Sequence, residues 1–255
     1  MKLLTNSRSL LKTALTSSLL LAGVWAAAES GSDTLAAIDR NTNLLDNDVS
    51  MVATMITEST ADGVDKNVVR MFRRDRDDTF LILFQEPENI RGQGYLQIDE
   101  TLWFYDPESR KFTHTSIKDS FKDSDANNSD FGSSTWAIDY RVTGSVAAKL
   151  GSFSTHLLTL AATSDEVTYP SMKIWVNDSP LLVLKAEAYS LSGRLMRTSY
   201  FPSYTQAGDA YMATKMIFVD EVVSGDKTTL TFDQVSTIDL DDSVFTKAYV
   251  ERVNK

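Results

Sequence analysis

The side chains that could carry out chemistry are few in this sequence. It has no cysteine and only two histidines, His114 and His156, both within short stretches that read as strands. A Ser-His-Asp mechanism needs a positioned histidine beside a nucleophile, and the sequence has no Gly-x-Ser-x-Gly turn. The acidic stretch from Asp123 begins like a calcium loop, but Asn128 and Ser134 stand where that loop requires glycine and glutamate. We therefore expect no enzyme, no metal site and no cofactor.

Composition and charge limit the kind of ligand. The 255 residues include 25 Lys and Arg against 35 Asp and Glu, which gives a formal net charge of −10, and 42% of them are hydrophobic. This is the composition of a folded domain. Binding of nucleic acid requires cationic side chains that neutralise phosphates, so we expect no nucleic-acid partner. The ligand is expected to be apolar rather than anionic.

The N-terminus reads as a secretory signal. A basic start is followed by an apolar stretch at 14–24 and by small residues ending at Ala28. This order of segments is typical of a cleaved signal peptide. We predict a signal peptide at residues 1–28, a single domain at 29–255, and a location in the periplasm.

Period-two alternation dominates the rest of the chain and predicts a mainly β fold with about a dozen antiparallel strands. Helical signals are confined to 32–39, 129–136 and 239–249, and the polar stretch 116–128 is interpreted as a surface loop. Some strands are apolar on both faces, as at 80–84, so both faces of the sheet must be covered. A sandwich or closed barrel would do this, and so would a sheet curled around an apolar ligand with helices as a lid.

Aromatic, methionine and arginine side chains are the candidates for the wall of such a cavity. Trp103 and Tyr105 share one strand face before an Asp-Pro turn, and methionine suits an adaptable apolar surface. Arg194 and Arg197 are three apart, so they lie on opposite faces of a strand, and a surface salt bridge is the favoured role for either.

The most specific blocks are 102–112, with its tryptophan and turn, and 190–202, which contains Ser-Gly-Arg-Leu-Met-Arg. Together with 80–90, 92–99 and 169–176 they resemble the LolA-like family of outer-membrane lipoprotein-sorting proteins, in particular its longer branch. The resemblance implies an incomplete antiparallel β-barrel whose concave face is closed by a few short helices. It also implies that acyl chains are carried across the periplasm in a hydrophobic cavity, with an inner-membrane transporter as donor and an outer-membrane acceptor.

The resulting hypothesis is a monomeric periplasmic carrier of acyl chains of lipoproteins or lipids. Its predicted lipid-binding wall is drawn from nine apolar residues: Phe80, Ile82, Phe84, Trp103, Tyr105, Met196, Met212, Met216 and Phe218. Two alternatives stay open. One is an exported hydrolase on a β scaffold, because 35 acidic residues always contain carboxylate pairs. The other is an envelope interaction or scaffold protein.

Overall fold

A computed structural model of the chain describes residues 31–99 and 101–253. The predicted signal peptide lies outside these residues. The helices are α1 (Gly31–Thr42), α2 (Trp136–Asp139) and α3 (Lys247–Val253). The strands are β1 (Asp48–Ser59), β2 (Gly63–Arg74), β3 (Thr79–Glu86), β4 (Gly94–Ile98), β5 (Thr101–Asp106), β6 (Lys111–Thr115), β7 (Tyr140–Leu150), β8 (Phe153–Ala162), β9 (Ser171–Asn177), β10 (Val183–Tyr189), β11 (Leu195–Ala207), β12 (Ala210–Asp220) and β13 (Lys227–Ile238).

All these strands form one antiparallel sheet in the order β6-β5-β4-β3-β2-β1-β13-β12-β11-β10-β9-β8-β7. It consists of two meanders, β1–β6 and β7–β13, which are joined where β1 pairs with β13 from Asp48 opposite Ile238 to Glu58 opposite Lys227. The two edges, β6 and β7, do not pair with each other, so the sheet stays open. The predicted mainly β, single-sheet fold is confirmed.

The stretch between β6 and β7 has to travel from one edge of the sheet to the other. We call residues 116–135 the crossing segment. Its Phe121 is buried and stacks on Phe84 of β3 with 5.7 Å between ring centroids, and it also contacts Phe131 at 4.3 Å. The prediction that 116–128 is a surface loop is therefore wrong. The segment is mostly polar, but its few apolar side chains are buried against the sheet.

The crossing segment and α1 cover one face of the sheet, which we call the inner face. The inner-face core contains Ile82 of β3, packed with Phe121 and Phe131. On the opposite, outer face, residues 239–253, here called the C-terminal tail, cover only one half of the sheet. Leu81 packs there with Val244 and Phe245 of the tail. Strand β3 is apolar on both faces because it is covered on both.

A buried ion-pair cluster fixes the C-terminal tail. Arg74 donates to both carboxylate oxygens of Asp48, at 3.0 and 2.9 Å, and to Asp242 of the tail at 2.5 Å. Asp48 also accepts from the backbone N–H of Leu240 at 2.8 Å. The Lys247 ammonium lies 3.2 Å from the centroid of the Trp103 ring on the outer face.

The three predicted helical regions are helical with shifted bounds. The first becomes α1, whose Leu35 and Ile38 are buried one turn apart. The second divides into a capped turn at Asn128–Phe131 and the short helix α2, and the third becomes a turn at Asp242–Phe245 followed by α3. Among the described residues, no helix has the length and hydrophobicity needed to cross a membrane.

Candidate functional site

A cavity of about 230 Å³ lies between the inner face and the structures that cover it. The cover consists of α1, the crossing segment and α2. About half of the lining residues are apolar or aromatic: Ile38, Trp136, Tyr140, Val167, Tyr169, Met172, Val183, Phe201, Tyr204, Met212, Ala213 and Met216. Arg197, Asp130 and Asp139 are the charged groups that line it together with Arg73. A cavity whose wall combines apolar and aromatic side chains with polar groups suits a ligand that has an apolar part and a polar part.

The two helices of the cover are joined by the carboxylate of Asp39 in α1. It accepts hydrogen bonds from the backbone N–H groups of Trp136 at 3.0 Å and Ala137 at 2.8 Å, and from the hydroxyl of Ser134 at 2.6 Å. Asn43 adds two further hydrogen bonds with the Ser134 backbone, at 2.9 and 2.6 Å. Helix α2 is thus capped by a residue of α1, and we infer that the two move as one unit.

The crossing segment is attached to the inner face by Arg197 of β11. The guanidinium donates to the two carboxylate oxygens of Asp130 at 2.6 and 3.0 Å, and to the backbone carbonyl of Asp125 at 3.2 Å. It also lies over the ring of Phe218, 4.7 Å from the centroid. The surface salt bridge favoured from the sequence is wrong for Arg197, which is only 8% exposed. Arg194 is exposed in the preceding turn.

Three carboxyl groups in the cover have raised pKa values. Burial raises the pKa of Asp39, Asp125 and Asp139, although each accepts hydrogen bonds that act in the opposite direction. Asp139 accepts from the Thr135 hydroxyl at 2.6 Å and Asp125 from the Thr228 hydroxyl at 2.8 Å. Ionisation of these three carboxyl groups therefore lowers the stability of the folded state, because burial disfavours the ionised form.

Six of the nine predicted wall residues lie on the inner face. Five of them, Phe80, Ile82, Phe84, Met212 and Phe218, are buried in the inner-face core, and Met216 packs against it. Met212 and Met216 also line the cavity. The structure thus brings these six together, and their contact with lipid stays a prediction.

Trp103 and Tyr105 lie on the outer face. Tyr105 packs with the C-terminal tail, and Trp103 lies beneath Lys247 of that tail. Met196 is the extra residue of a β-bulge, between Leu195 opposite Tyr189 and Arg197 opposite Ala188, so strand alternation does not assign it to a face. The prediction that Trp103 and Tyr105 share a wall with Ile82 is wrong, and the place of Met196 stays a prediction. Successive side chains of a strand point to opposite faces of the sheet, and the alternation in the sequence does not say which face is the inner one.

Sequence reasoning missed the aromatic residues of the cover and of the adjoining start of β7. Phe121 and Phe131 fill one half of the inner face, while Trp136 and Tyr140 line the cavity in the other half. The available signal was the isolated phenylalanines at 121 and 131 within an otherwise polar stretch. An exposed loop of that length has no need of two large apolar side chains.

Comparisons with known proteins agree with this geometry. A family model described as "Uncharacterized protein" matches residues 76–252, and the chain belongs to that family. The structure is also similar to that of a LolA superfamily protein from Nitrosomonas europaea, with a TM-score of 0.74 and 23% identity over 87% of this chain and 100% of the other. The chain has a LolA-like fold. This confirms the resemblance identified in the sequence.

Two further structures share this fold. One is named as an outer membrane lipoprotein-sorting protein domain from Vibrio parahaemolyticus, with a TM-score of 0.77 and 19% identity over 87% of this chain and 98% of that one. The other is a DUF1329 family protein from Desulfovibrio piger, with a TM-score of 0.76 and 20% identity over 86% and 97%. No curated protein matches the sequence.

Proposed function

We propose that this protein is a periplasmic carrier that binds acyl chains of lipoproteins or lipids under its cover and moves them towards the outer membrane. The observation that carries the proposal is the apolar cavity, closed by a cover that forms no strand of the sheet. The fold supports it, since one protein of the same fold is named for lipoprotein sorting. An inner-membrane donor and an outer-membrane acceptor complete the proposal.

The size of the cavity implies that the cover moves when cargo binds. Its volume of about 230 Å³ is below the roughly 300–1,000 Å³ typical of ligand pockets. Beside it, Phe121 and Phe131 occupy the inner face that an extended acyl chain would need. An acyl chain gains about 0.8 kcal/mol for each buried CH₂. An acyl chain that displaced these two rings would keep the inner face shielded from water, and the sheet itself would not have to change.

Two methionines provide a matched test. Met216 lines the cavity, whereas Met196, in the β-bulge of β11, is not among the residues that line it, and both are partly buried. A charge in the cavity has to be desolvated by the cargo, so Met216→Asp is expected to weaken binding of a fluorescent fatty-acyl probe at least tenfold. Met196→Asp should bind the probe like the wild type. Thermal melts of both variants confirm that they fold, and a wild type that binds no probe would overturn the proposal.

A hydrolase is the second candidate, because Asp130 and Asp139 both line the cavity. Burial raises the pKa of Asp139, as a general acid requires. The second carboxylate, that of Asp130, is not free to act as a base or nucleophile, because both of its oxygens accept hydrogen bonds. Asp130 accepts from Arg197 with both oxygens and from the backbone N–H of Asn127 at 2.7 Å. Asp139→Asn separates the candidates, since a carrier keeps its probe binding in this variant and a hydrolase loses turnover.

The cargo is best identified on protein isolated from its own cell envelope. Osmotic-shock fractionation tests the periplasmic location, and native mass spectrometry of the released protein tests for a bound lipid. A carrier should show adducts of lipid or lipoprotein mass that disappear in the Met216→Asp variant. A scaffold protein would give the bare chain mass in both cases.

A further inference from the structure

The outer face of the sheet carries an apolar row that the C-terminal tail leaves uncovered. Strand register brings one residue from each of eight neighbouring strands to the same level. We call this the outer row, and in sheet order it consists of Val146, Leu157, Trp175, Lys185, Tyr200, Ile217, Thr229 and Ile56. With about 4.8 Å between strands, it extends over about 34 Å.

Large apolar side chains of the outer row are exposed. Val146 is 59% exposed, and Tyr200 and Ile56 are each 37% exposed. Within the described residues, the hydrophobic clusters of the core contain none of the row's side chains. Scattered apolar residues are normal on a protein surface, but a continuous row in register is the kind of feature that marks an interaction site.

The centre of the row is ordered by a lysine between two aromatic rings. The Lys185 ammonium lies 4.4 Å from the Trp175 ring centroid and 5.7 Å from that of Tyr200. Its charge is balanced by Glu187 at 2.6 Å. The rings are thus held in place before any partner arrives, which lowers the entropy lost on binding.

The local charge of this face is opposite in sign to that of the whole protein. The row and its two flanking levels carry five lysines, at positions 66, 173, 185, 215 and 227. Three glutamates pair with them: Glu86 with Lys66, Glu187 with Lys185, and Glu58 with Lys227. Lys66 and Glu86 lie next to the end of the row, on β2 and β3. Lys173 and Lys215 remain, and Glu221, which accepts from Thr198 of a flanking level, offsets one of these two charges. This face thus has a small local excess of positive charge on a protein of net charge −10.

We propose that the outer row is a docking surface for an anionic lipid bilayer. Aliphatic side chains, Trp and Tyr rings with polar tips, and lysines with long apolar stems are the residues that contact the membrane interface. The negative charges elsewhere on the protein oppose this weakly, because the Debye length is only about 8 Å at physiological ionic strength. The charges closest to the bilayer decide the interaction. Docking places the sheet against the membrane and leaves the cover, on the inner face, free to open.

The test is co-sedimentation of the protein with phosphatidylglycerol-containing vesicles and with pure phosphatidylcholine vesicles. We expect binding to the anionic vesicles that weakens with salt. The double variant Val146→Glu/Tyr200→Glu should lower the partition coefficient at least tenfold, and Lys173→Gln and Lys215→Gln should each lower it about fivefold. Both glutamates replace exposed side chains, so the fold should persist, which a thermal melt verifies.

Two exposed apolar residues away from the row are the matched controls. Leu191, 93% exposed, lies in the β10–β11 turn, and Ile138, 74% exposed, lies on α2 in the cover. Leu191→Glu and Ile138→Glu should bind vesicles like the wild type. A loss of binding in the Ile138 variant instead would place the membrane contact on the cover and overturn the proposal.

Absence of vesicle binding by the wild type would also overturn it. A concentration-dependent dimer, seen by analytical ultracentrifugation and lost in the Val146→Glu/Tyr200→Glu variant, would show that a second copy occupies the row instead. The inference does not rest on the carrier function. Binding of the acyl probe depends on the inner face and should be unchanged in the outer-row variants, so the two proposals fail separately.

Discussion

Arg197 of β11 holds Asp130 of the crossing segment through two hydrogen bonds, while its guanidinium lies over the ring of Phe218. One side chain thereby joins the cover to the inner face at the wall of the cavity. The pair is buried, so removal of one partner leaves an uncompensated charge. It is the contact through which the stability of the cover can be measured.

Arg197→Met is expected to lower the free energy of unfolding by about 3–5 kcal/mol, because Asp130 then remains buried without its cation. The double variant Arg197→Met/Asp130→Leu should recover most of this loss, since it removes both charges. Urea denaturation of the two variants and the wild type provides the comparison. A double variant as unstable as the single one would mean that packing of the guanidinium on Phe218, rather than charge, holds the segment.

Phe121→Ala should destabilise the protein and strengthen acyl binding at the same time. The buried ring accounts for about 3–5 kcal/mol of the free energy of unfolding. Its removal also opens space on the inner face, so the affinity for a fatty-acyl probe should rise about tenfold. Phe245→Ala is the matched control, because that ring belongs to the tail and is buried against the outer face. It should lose stability without gaining affinity.

Stability should rise slightly as the pH falls from neutrality into the weakly acidic range. Burial raises the pKa of Asp39, Asp125 and Asp139, so their protonation in the folded state removes an unfavourable charge. For Asp48, burial acts to raise the pKa, but the hydrogen bond from Arg74 and further interactions lower it overall. Its stabilising contribution is present above the unfolded pKa of about 3.9 and is lost as the pH falls through the lower folded value.

Denaturation with urea at pH 7.5, 5.5 and 3.5 measures this profile. The free energy of unfolding should rise from pH 7.5 to 5.5 and rise further towards the unfolded carboxyl pKa of about 3.9, because the three raised groups become protonated in the folded state, while the Asp48 contribution begins to be lost only below that pKa. The gain between pH 7.5 and 5.5 should shrink in Asp139→Asn, which no longer has one of the raised groups. A steady decline from pH 7.5 would contradict the expected role of the cover carboxyls.

Gly94 of β4 is needed because β3 passes close to it. A Cβ at this position would lie 2.4 Å from the carbonyl oxygen of Ile82. Gly94→Ala should therefore cost about 1–3 kcal/mol in the free energy of unfolding, since backbone must move. Gly144→Ala in β7, where the nearest atom would be 3.8 Å away, should be close to neutral. Thermal melts of both variants test the difference.

Local sequence determined the elements of this fold to a large degree. Alternation at 80–84 predicts β3, and the capping residues near 32 and 239 predict the two terminal helical regions, because these signals depend on neighbouring residues. The family resemblance added the open sheet and its covered inner face. Apolar character on both faces of β3 also indicated correctly that both faces are covered.

Only the tertiary structure decided which side chains face the cavity. Trp103 and Leu102 are adjacent in one strand, and either could point inward, because the C-terminal tail that makes Trp103 an outer residue lies more than a hundred positions away. The path of the crossing segment was equally hidden. It follows from the pairing of β1 with β13, which sends β6 and β7 to opposite edges. Period two specifies a strand and its alternation, whereas the inward face depends on long-range contacts that no local pattern contains.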